Sequence, residues 1–430
     1  MIKQAQGKLT ALKQLKAAYL QQMFPQAGQA TPRIRFAGFS EPWEQLKLGD
    51  VLDSMYNGQT PSRSGPKNWK GEINWLTSGE LNRGTVTSTI EKITVQGQKD
   101  ANLKLIPSGT FVMAITGLEA AGTRGNCAIL GIETTLNQSC MALFPKKEKL
   151  DSIFLFYWYR KVGEEYGLGY TQGTKQQSYN AEIIKLLPIT LPKIKEQVAI
   201  GNFFRNLDGI IAVHQRKLDS LKKLKKLYLQ KIFVNEISQD FENPTNTIIT
   251  DGQRQPNTPH LRFKGFVDPW EQRKLGEVVE LNPRSTLPNT FEYVDLESVV
   301  GTSLISQRTE NADTAPSRAQ RLAQRGDVFY QTVRPYQMNN YLFDLPFDNF
   351  VFSTGYAQLR PKCDSYFLLN RLQEKRFVAD VLDKSTGTSY PAINSGDLMQ
   401  VKIGVAPTNE EQTAIGNFFR ALDELIKQYS

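Results

Sequence analysis

The chain has very little cysteine and even less histidine. Three cysteines, Cys127, Cys140 and Cys363, stand among 430 residues, at spacings that suit neither a disulfide framework nor a zinc site. With only His214 and His260 present, catalytic triads and histidine metal centres are nearly excluded. Long apolar runs are also missing: nothing approaches the roughly 20 residues that cross a bilayer, so no membrane partner is expected. The first residues, MIKQAQGKLTALKQ, carry no apolar segment or small-residue cleavage site, and a cytoplasmic protein without a signal peptide is the expectation. There is no G-x-x-x-x-G-K-[ST] phosphate loop, and the glycines of GLGYTQG (167–173) are wrongly spaced to stand in for one. With no catalytic residues, metal ligands or cofactor loop in evidence, the chain is expected to bind and not to catalyse.

What is present is a globular composition with a basic bias. Hydrophobic residues make up 40% and aromatics 10%, enough for real cores, and the length allows two ordinary domains. The formal charge of +9 favours polyanionic partners, nucleic acid above all.

The sequence also repeats itself. PRIRFAGFSEPWEQLKLGD (Pro32 to Asp50) returns as PHLRFKGFVDPWEQRKLGE (Pro259 to Glu277) with 12 of 19 positions identical. EQVAIGNFFRNLDGII (Glu196 to Ile211) returns as EQTAIGNFFRALDELI (Glu411 to Ile426) with 12 of 16 identical. LDSLKKLKKLYLQKIF (Leu218 to Phe233) continues the central copy, while its partner LTALKQLKAAYLQQMF (Leu9 to Phe24) sits at the N-terminus. Laid on the central copy, Ile2-Lys3-Gln4 and Ile426-Lys427-Gln428 fall on the same register, which reads as one helical repeat divided between the two chain ends, with Met1 and Ser430 near each other. Between the repeated elements the copies hardly resemble one another, so a framework is duplicated while the regions it carries have diverged.

The framework reads as helices. No proline interrupts Lys195 to Phe233, and Leu207, Ile211, His214, Leu218, Leu221, Tyr228 and Ile232 recur in steps of three and four, an a/d seam broken by Lys225. Leu9, Leu12, Tyr19 and Met23 repeat it, with Lys16 at the break; Lys222, Lys223 and Lys226 belong on the wet face. The divergent regions read as α/β, with strands expected in INWLTS, GTFVMAI, CAIL, DVFYQTV and FVFSTGYAQL and helices over Asp151 to Tyr166 and Tyr366 to Lys384. The expected organisation is an N-terminal helical half (1–24), a first globular domain (25–192), a central helix (193–235), a polar linker (236–258), a second globular domain (259–407) and the other helical half (408–430). The fold class is thus α/β in the α+β sense: two globular domains joined by two long antiparallel coiled-coil-like helical regions with pseudo-two-fold symmetry.

The paired LRFxGFxxPWEQxKLGE elements, the GTxxxxY/PxI loop and the EEQxAIGNFFRxLDxxI helix starts resemble the specificity subunit of type I restriction-modification systems, over essentially the whole chain. GQTPSRSGPKNWKGEINWLTSGEL (Gly58 to Leu81) and AQRGDVFYQTVRPY (Ala323 to Tyr336) are similar to two different types of target-recognition domain. The resemblance implies a non-catalytic subunit whose two domains each read one half of a bipartite, asymmetric double-stranded DNA target. It implies two modification (methyltransferase) subunits docked on the helices, and restriction subunits in the full complex. S-adenosylmethionine and ATP with Mg would belong to those partners, leaving no cofactor or metal here. A self-contained DNA methyltransferase or nuclease is the first alternative, but NPRS (Asn282 to Ser285) departs from an Asn-Pro-Pro-aromatic tetrapeptide at its third and fourth positions. A coiled-coil scaffold is the second, and it leaves two unlike, arginine-rich domains unexplained.

Sequence readout needs side chains that reach base edges. In the first domain the candidates are Arg63, Lys67, Asn68 and Lys70 after Thr60-Pro61, with Ser78, Arg124, Lys175, Gln176 and Gln177. In the second they are Arg284, Arg318, Arg321, Arg334, Tyr336, Gln337 and Asn339, with Thr388, Ser389 and Tyr390. Glycine-rich flanks allow close approach, and Arg and Gln can pair bidentately with guanine and adenine. Trp69 and Trp75 read as core, Trp43 and Trp270 as framework.

Overall fold

The computed structural model describes residues 7–26, 28–119, 122–173, 177–233 and 258–430. The chain divides into two compact units, Met1–Gln215 and Arg216–Ser430, and the boundary falls inside one 39-residue helix, Ile194–Ile232. Taken unit by unit, the three repeated elements run in the same order: Leu9–Phe24, Pro32–Asp50 and Glu196–Ile211 in the first, Leu218–Phe233, Pro259–Glu277 and Glu411–Ile426 in the second. The long helix therefore closes one unit and opens the next. Most of the expected linker, and Met1 with its expected nearness to Ser430, lie outside the described residues.

In the first unit the helix Lys8–Gln22, built from good helix formers, runs antiparallel to the start of the long helix. Tyr19 meets Phe203 edge-on at 5.2 Å, Lys16 is paired with Asp208, and Lys13 donates to Gln215 at 3.3 Å. In the second unit the same arrangement recurs between the end of the long helix and the helix Asn409–Tyr429, with Tyr228 against Phe418 at 4.8 Å and Lys225 paired with Asp423 at 2.6 Å. The two lysines that interrupt the apolar seam thus each face an aspartate on the neighbouring helix. Burial lowers the Lys16 ammonium below its ordinary pKa, and the aspartate compensates the charge.

The ends of each globular part are fastened together. In the first unit the strand Glu44–Lys47 pairs antiparallel with Pro188–Leu191; in the second, Glu271–Lys274 pairs with Lys402–Val405. A buried Arg–Glu pair locks each junction to its framework helix: Arg35 donates to both oxygens of Glu196 at 2.7 and 2.8 Å, and Arg262 to both of Glu411 at 2.6 and 2.8 Å. Beside it sits one aromatic cluster per unit, Phe24, Trp43, Phe154 and Phe204 or Phe233, Trp270, Phe367 and Phe419.

The carried parts differ. The first holds a five-stranded sheet in the order Leu52–Asn57, Cys140–Pro145, Phe111–Ala114, Cys127–Leu130 and Thr85–Val86, and a three-stranded sheet of Glu91–Ile93, Trp69–Leu76 and Thr135–Leu136. The helix Ser152–Gly169, capped by Asp151, buries Phe154, Leu155, Tyr157, Trp158 and Tyr159. Cys127 and Cys140 lie in core strands as free thiols, and burial pushes Cys127 up to about 12. The second holds two four-stranded sheets. One has the order Val279–Leu281, Tyr356–Pro361, Val328–Gln331, Tyr341–Leu342, and the other Arg308–Asn311, Thr290–Val294, Phe350–Ser353, Ala319–Leu322.

Two elements differ from their sequence expectation. FVFSTGYAQL is two strands, Phe350–Ser353 and Tyr356–Pro361, in different sheets, because the chain turns at Thr354-Gly355, where a side chain on Gly355 would meet Leu296 at 2.9 Å. The helix expected over Tyr366 to Lys384 is two, Ser365–Leu372 and Lys375–Asp383, interrupted where Gln373 turns aside to donate to the carbonyl of Met338 at 3.1 Å.

Candidate nucleic-acid interface

Each unit builds one loop pair in the same way. In the first, the chain leaves the core strand Phe111–Ala114, and the carbonyl of Ile115 accepts from the N–H of Tyr179 at 2.8 Å. Thr116 and Gln172 both bridge Ser178, and Asn180 caps the short helix Ala181–Leu186. In the second, the chain leaves Val328–Gln331, and the carbonyl of Thr332 accepts from Ile393 at 3.0 Å. Val333 and Thr386 both bridge Ala392, and Asn394 caps Ser395–Met399. The glycine that starts the second loop has a left-handed backbone in both, Gly173 at φ 97° and Gly387 at φ 91°, a conformation glycine adopts without cost. The residue after Thr116 or Val333 is left-handed too: Gly117 at φ 73° in one unit, Arg334 at φ 53° in the other.

On this shared scaffold the side chains are unlike. In the second unit the scaffold gathers Arg334, Tyr336, Gln337, Thr388, Ser389 and Tyr390. The guanidinium of Arg334 lies 4.3 Å from the centroid of the Tyr390 ring, Tyr336 and Tyr390 are 49% and 63% exposed, and Gln337 accepts from Gln331 at 2.8 Å. In the first unit it brings Arg124 to Gln177: Arg124 Nη2 donates to the carbonyl of Glu119 at 2.9 Å and to Gln177 Oε1 at 3.5 Å, and the Gln177 N–H donates to the Glu119 carboxylate at 3.1 Å. Lys175 and Gln176 lie outside the described residues. The sequence pointed to these positions through the Gly-Thr loops. It gave no sign of Glu119, which ties the Arg124 guanidinium to the Gln177 backbone.

The other candidates are dispersed. Arg63 is committed: it donates to both oxygens of Glu91 at 2.6 and 2.8 Å and stacks 3.8 Å from the Trp69 ring centroid. That guanidinium holds the Glu91 carboxyl below its ordinary range. Asn68 is 5% exposed, with Gly97 packed on its backbone, and so serves the loop's interior. Lys67 and Lys70 are exposed and Ser78 is half-buried. Arg284 and Arg318 are exposed on other loops of the second unit. Arg321 lies on the strand Ala319–Leu322, and burial pushes its guanidinium down. Asn339 accepts from the N–H of Gly301 at 2.9 Å, a structural bond. Trp75 is core at 2% exposed, as are Trp43 and Trp270 at 3% and 2%; Trp69 is half-buried. His214 pairs with the carbonyl of Ile210, one turn back on its own helix, at 3.0 Å. No helix among the described residues is long and apolar enough to cross a membrane.

Residues 40–223 and 267–429 match the family described as the type I restriction modification DNA specificity domain. Over 408 residues the chain is 23% identical to the type I restriction enzyme MjaVIII specificity subunit of Methanocaldococcus jannaschii, with 90% of this chain and 87% of that one covered. Over 184 residues it is 24% identical to the EcoR124I/EcoR124II specificity subunit of Escherichia coli, covering 41% and 44%. The fold is similar to that of the type I restriction-modification S subunit from M. genitalium, with a TM-score of 0.57, 15% identity and 92% of each chain covered.

Proposed function

Starting from a chain that belongs to the DNA-specificity subunits of type I restriction-modification systems, we propose that its two units each read one half of a bipartite, asymmetric duplex target. The chain itself is the non-catalytic, sequence-specifying component. On this reading it directs two modification subunits, and restriction subunits in the full complex, to that target. S-adenosylmethionine and ATP with Mg are carried by those partners.

The observation that carries this reading is the loop pair built twice on one scaffold with different side chains, Arg124 and Gln177 in one unit and Arg334, Tyr336, Gln337 and Tyr390 in the other. A shared frame fixes where a loop is presented, and unlike side chains give unlike half-sites. Lysines and arginines elsewhere supply phosphate contacts, so affinity falls steeply with salt. Exposed apolar residues on the framework helices, Ile210 and Val213 in the first unit and Leu224, Leu227 and Leu425 in the second, support docking of the modification subunits there.

Replacing residues 50–190 with the corresponding region of a relative tests the proposal. Sequencing of methylated adenines in cells that carry the assembled complex should show one half-site changed and the other retained. A change in both halves would remove the assignment of one half-site to each unit.

A further inference from the structure

We infer that Arg334, held against the ring of Tyr390, reads a guanine in the half-site contacted by the second unit; this rests on the DNA-reading function proposed above. Three observations converge on it.

The first is the backbone. Arg334 sits at φ 53° and ψ 56°, a left-handed conformation that is strained for a residue with a side chain. Its N–H is fixed to the carbonyl of Pro391 at 2.7 Å. The equivalent position of the first unit is Gly117, also left-handed, where no such cost arises. The second unit thus keeps an arginine where glycine would fit without strain. Lys70, Arg83, Asn102, Asn282 and Met338 are left-handed as well, so the backbone supports a use for the Arg334 side chain only together with the glycine at the equivalent position.

The second is how the guanidinium is held. It lies 4.3 Å from the Tyr390 ring centroid, and Tyr390 is 63% exposed, so the stack is not part of the core. Stacking on one face sets the plane of the fork and leaves its N–H edges for a ligand.

The third is charge. Several other arginines are bound to carboxylates: Arg63 to Glu91, Arg308 to Asp295 and Glu310, Arg325 to Asp344, Arg360 to Asp327. Among the described residues no carboxylate pairs with Arg334. A planar, oriented fork with its donors unused matches the O6 and N7 acceptors of guanine in the major groove. A phosphate also accepts such a fork but carries no sequence information, so discrimination among base pairs separates the two ligands.

The test uses the full chain assembled with its modification subunits, carrying Arg334→Gly, Arg334→Lys or Tyr390→Phe. Affinity is measured on duplexes altered one base pair at a time, alongside methylated-adenine sequencing. Arg334→Gly should leave the melting temperature unchanged or raised and the other half-site intact. At a single G·C pair of the second unit's half-site it should abolish a discrimination of roughly 5- to 150-fold. Arg334→Lys, which keeps the charge and loses the fork, should fail in the same way, and Tyr390→Phe, which keeps the ring, should retain the discrimination. Three results overturn the inference: an unchanged target for Arg334→Gly; equal weakening on every duplex with rescue by lysine, which marks a phosphate contact; or a lowered melting temperature for Arg334→Gly, which marks a structural pin. A wild-type complex without any sequence preference would remove the proposed function and this assignment with it. That result is distinct from a wild-type complex that reads its target while Arg334→Gly reads the same one.

Discussion

The two units agree wherever the chain must close on itself and differ wherever it is free to vary. Both carry an antiparallel helix pair with a lysine–aspartate contact in the seam, a buried Arg–Glu pair, an aromatic cluster and a two-stranded clasp. One carries a five- and a three-stranded sheet, the other two four-stranded sheets. A framework glutamine joins the two levels in each unit. Gln197 donates to the carbonyls of Lys149 and Pro192 and accepts from the N–H of Asp151; Gln412 donates to that of Ala406 and accepts from the N–H of Asp364. Asp151 and Asp364 in turn cap the helices Ser152–Gly169 and Ser365–Leu372. The two carried domains thus differ in sheet order while each keeps its ends at the clasp and its capping aspartate on that glutamine.

Equivalent residues in the two frames allow this comparison to be broken. The largest effect should come from the Arg–Glu pairs. Arg35→Ala and Arg262→Ala each strand a glutamate whose side chain is 2% or 1% exposed, and each should cost about 3–5 kcal/mol in urea denaturation of the full chain. Markedly unequal losses would show that the frames are not energetically equivalent.

Gly201 and Gly416 come next, because identical residues here have different surroundings. A Cβ on Gly416 would lie 2.1 Å from Asp364 Oδ1, the oxygen that caps the following helix at Phe367, whereas one on Gly201 would come no nearer than 3.2 Å to Ile153. Gly416→Ala should lose the cap and overpack, at about 2–4 kcal/mol. Gly201→Ala should be nearly neutral, its contact offset by up to about 1 kcal/mol of helix propensity. Equal losses would show that the Asp364 contact is relieved by a small shift.

The smallest effect separates the two framework tryptophans. Trp270 Nε1 donates to Glu411 at 3.2 Å, while the buried Trp43 Nε1 has no hydrogen-bond partner among the described residues. Both lose similar ring area on conversion to phenylalanine, so Trp270→Phe should exceed Trp43→Phe by about 1 kcal/mol, one hydrogen bond. A double variant with Glu411→Gln would sharpen this, since the excess should shrink once the carboxylate is gone.

Much of the frame was legible in the sequence because its signals are local. A proline-free stretch with apolar steps of three and four gave the long helix, and near-identity gave the clasp and the helix starts. The break in Phe350–Pro361 and the break after Leu372 were not legible, because what packs beside each, Leu296 near Gly355 and Met338 at Gln373, lies far away in the chain. The candidate surface shows the same limit. Arg63 and Arg334 look alike in sequence as arginines in proline-containing loops, yet Arg63 is bound by Glu91, 28 residues on, and Arg334 meets a tyrosine ring 56 positions away.

The sequence by itself determined the duplication, the helical frame and the family, since identity and periodicity are properties of neighbours along the chain. Only the tertiary structure decided that the long helix closes one unit and opens the next, that the seam lysines meet aspartates, and that Arg63 is bound by a glutamate while Arg334 lies on a tyrosine ring. Those outcomes depend on pairings between residues dozens to nearly two hundred positions apart, and charge neutralisation and burial are settled by what folds alongside a residue.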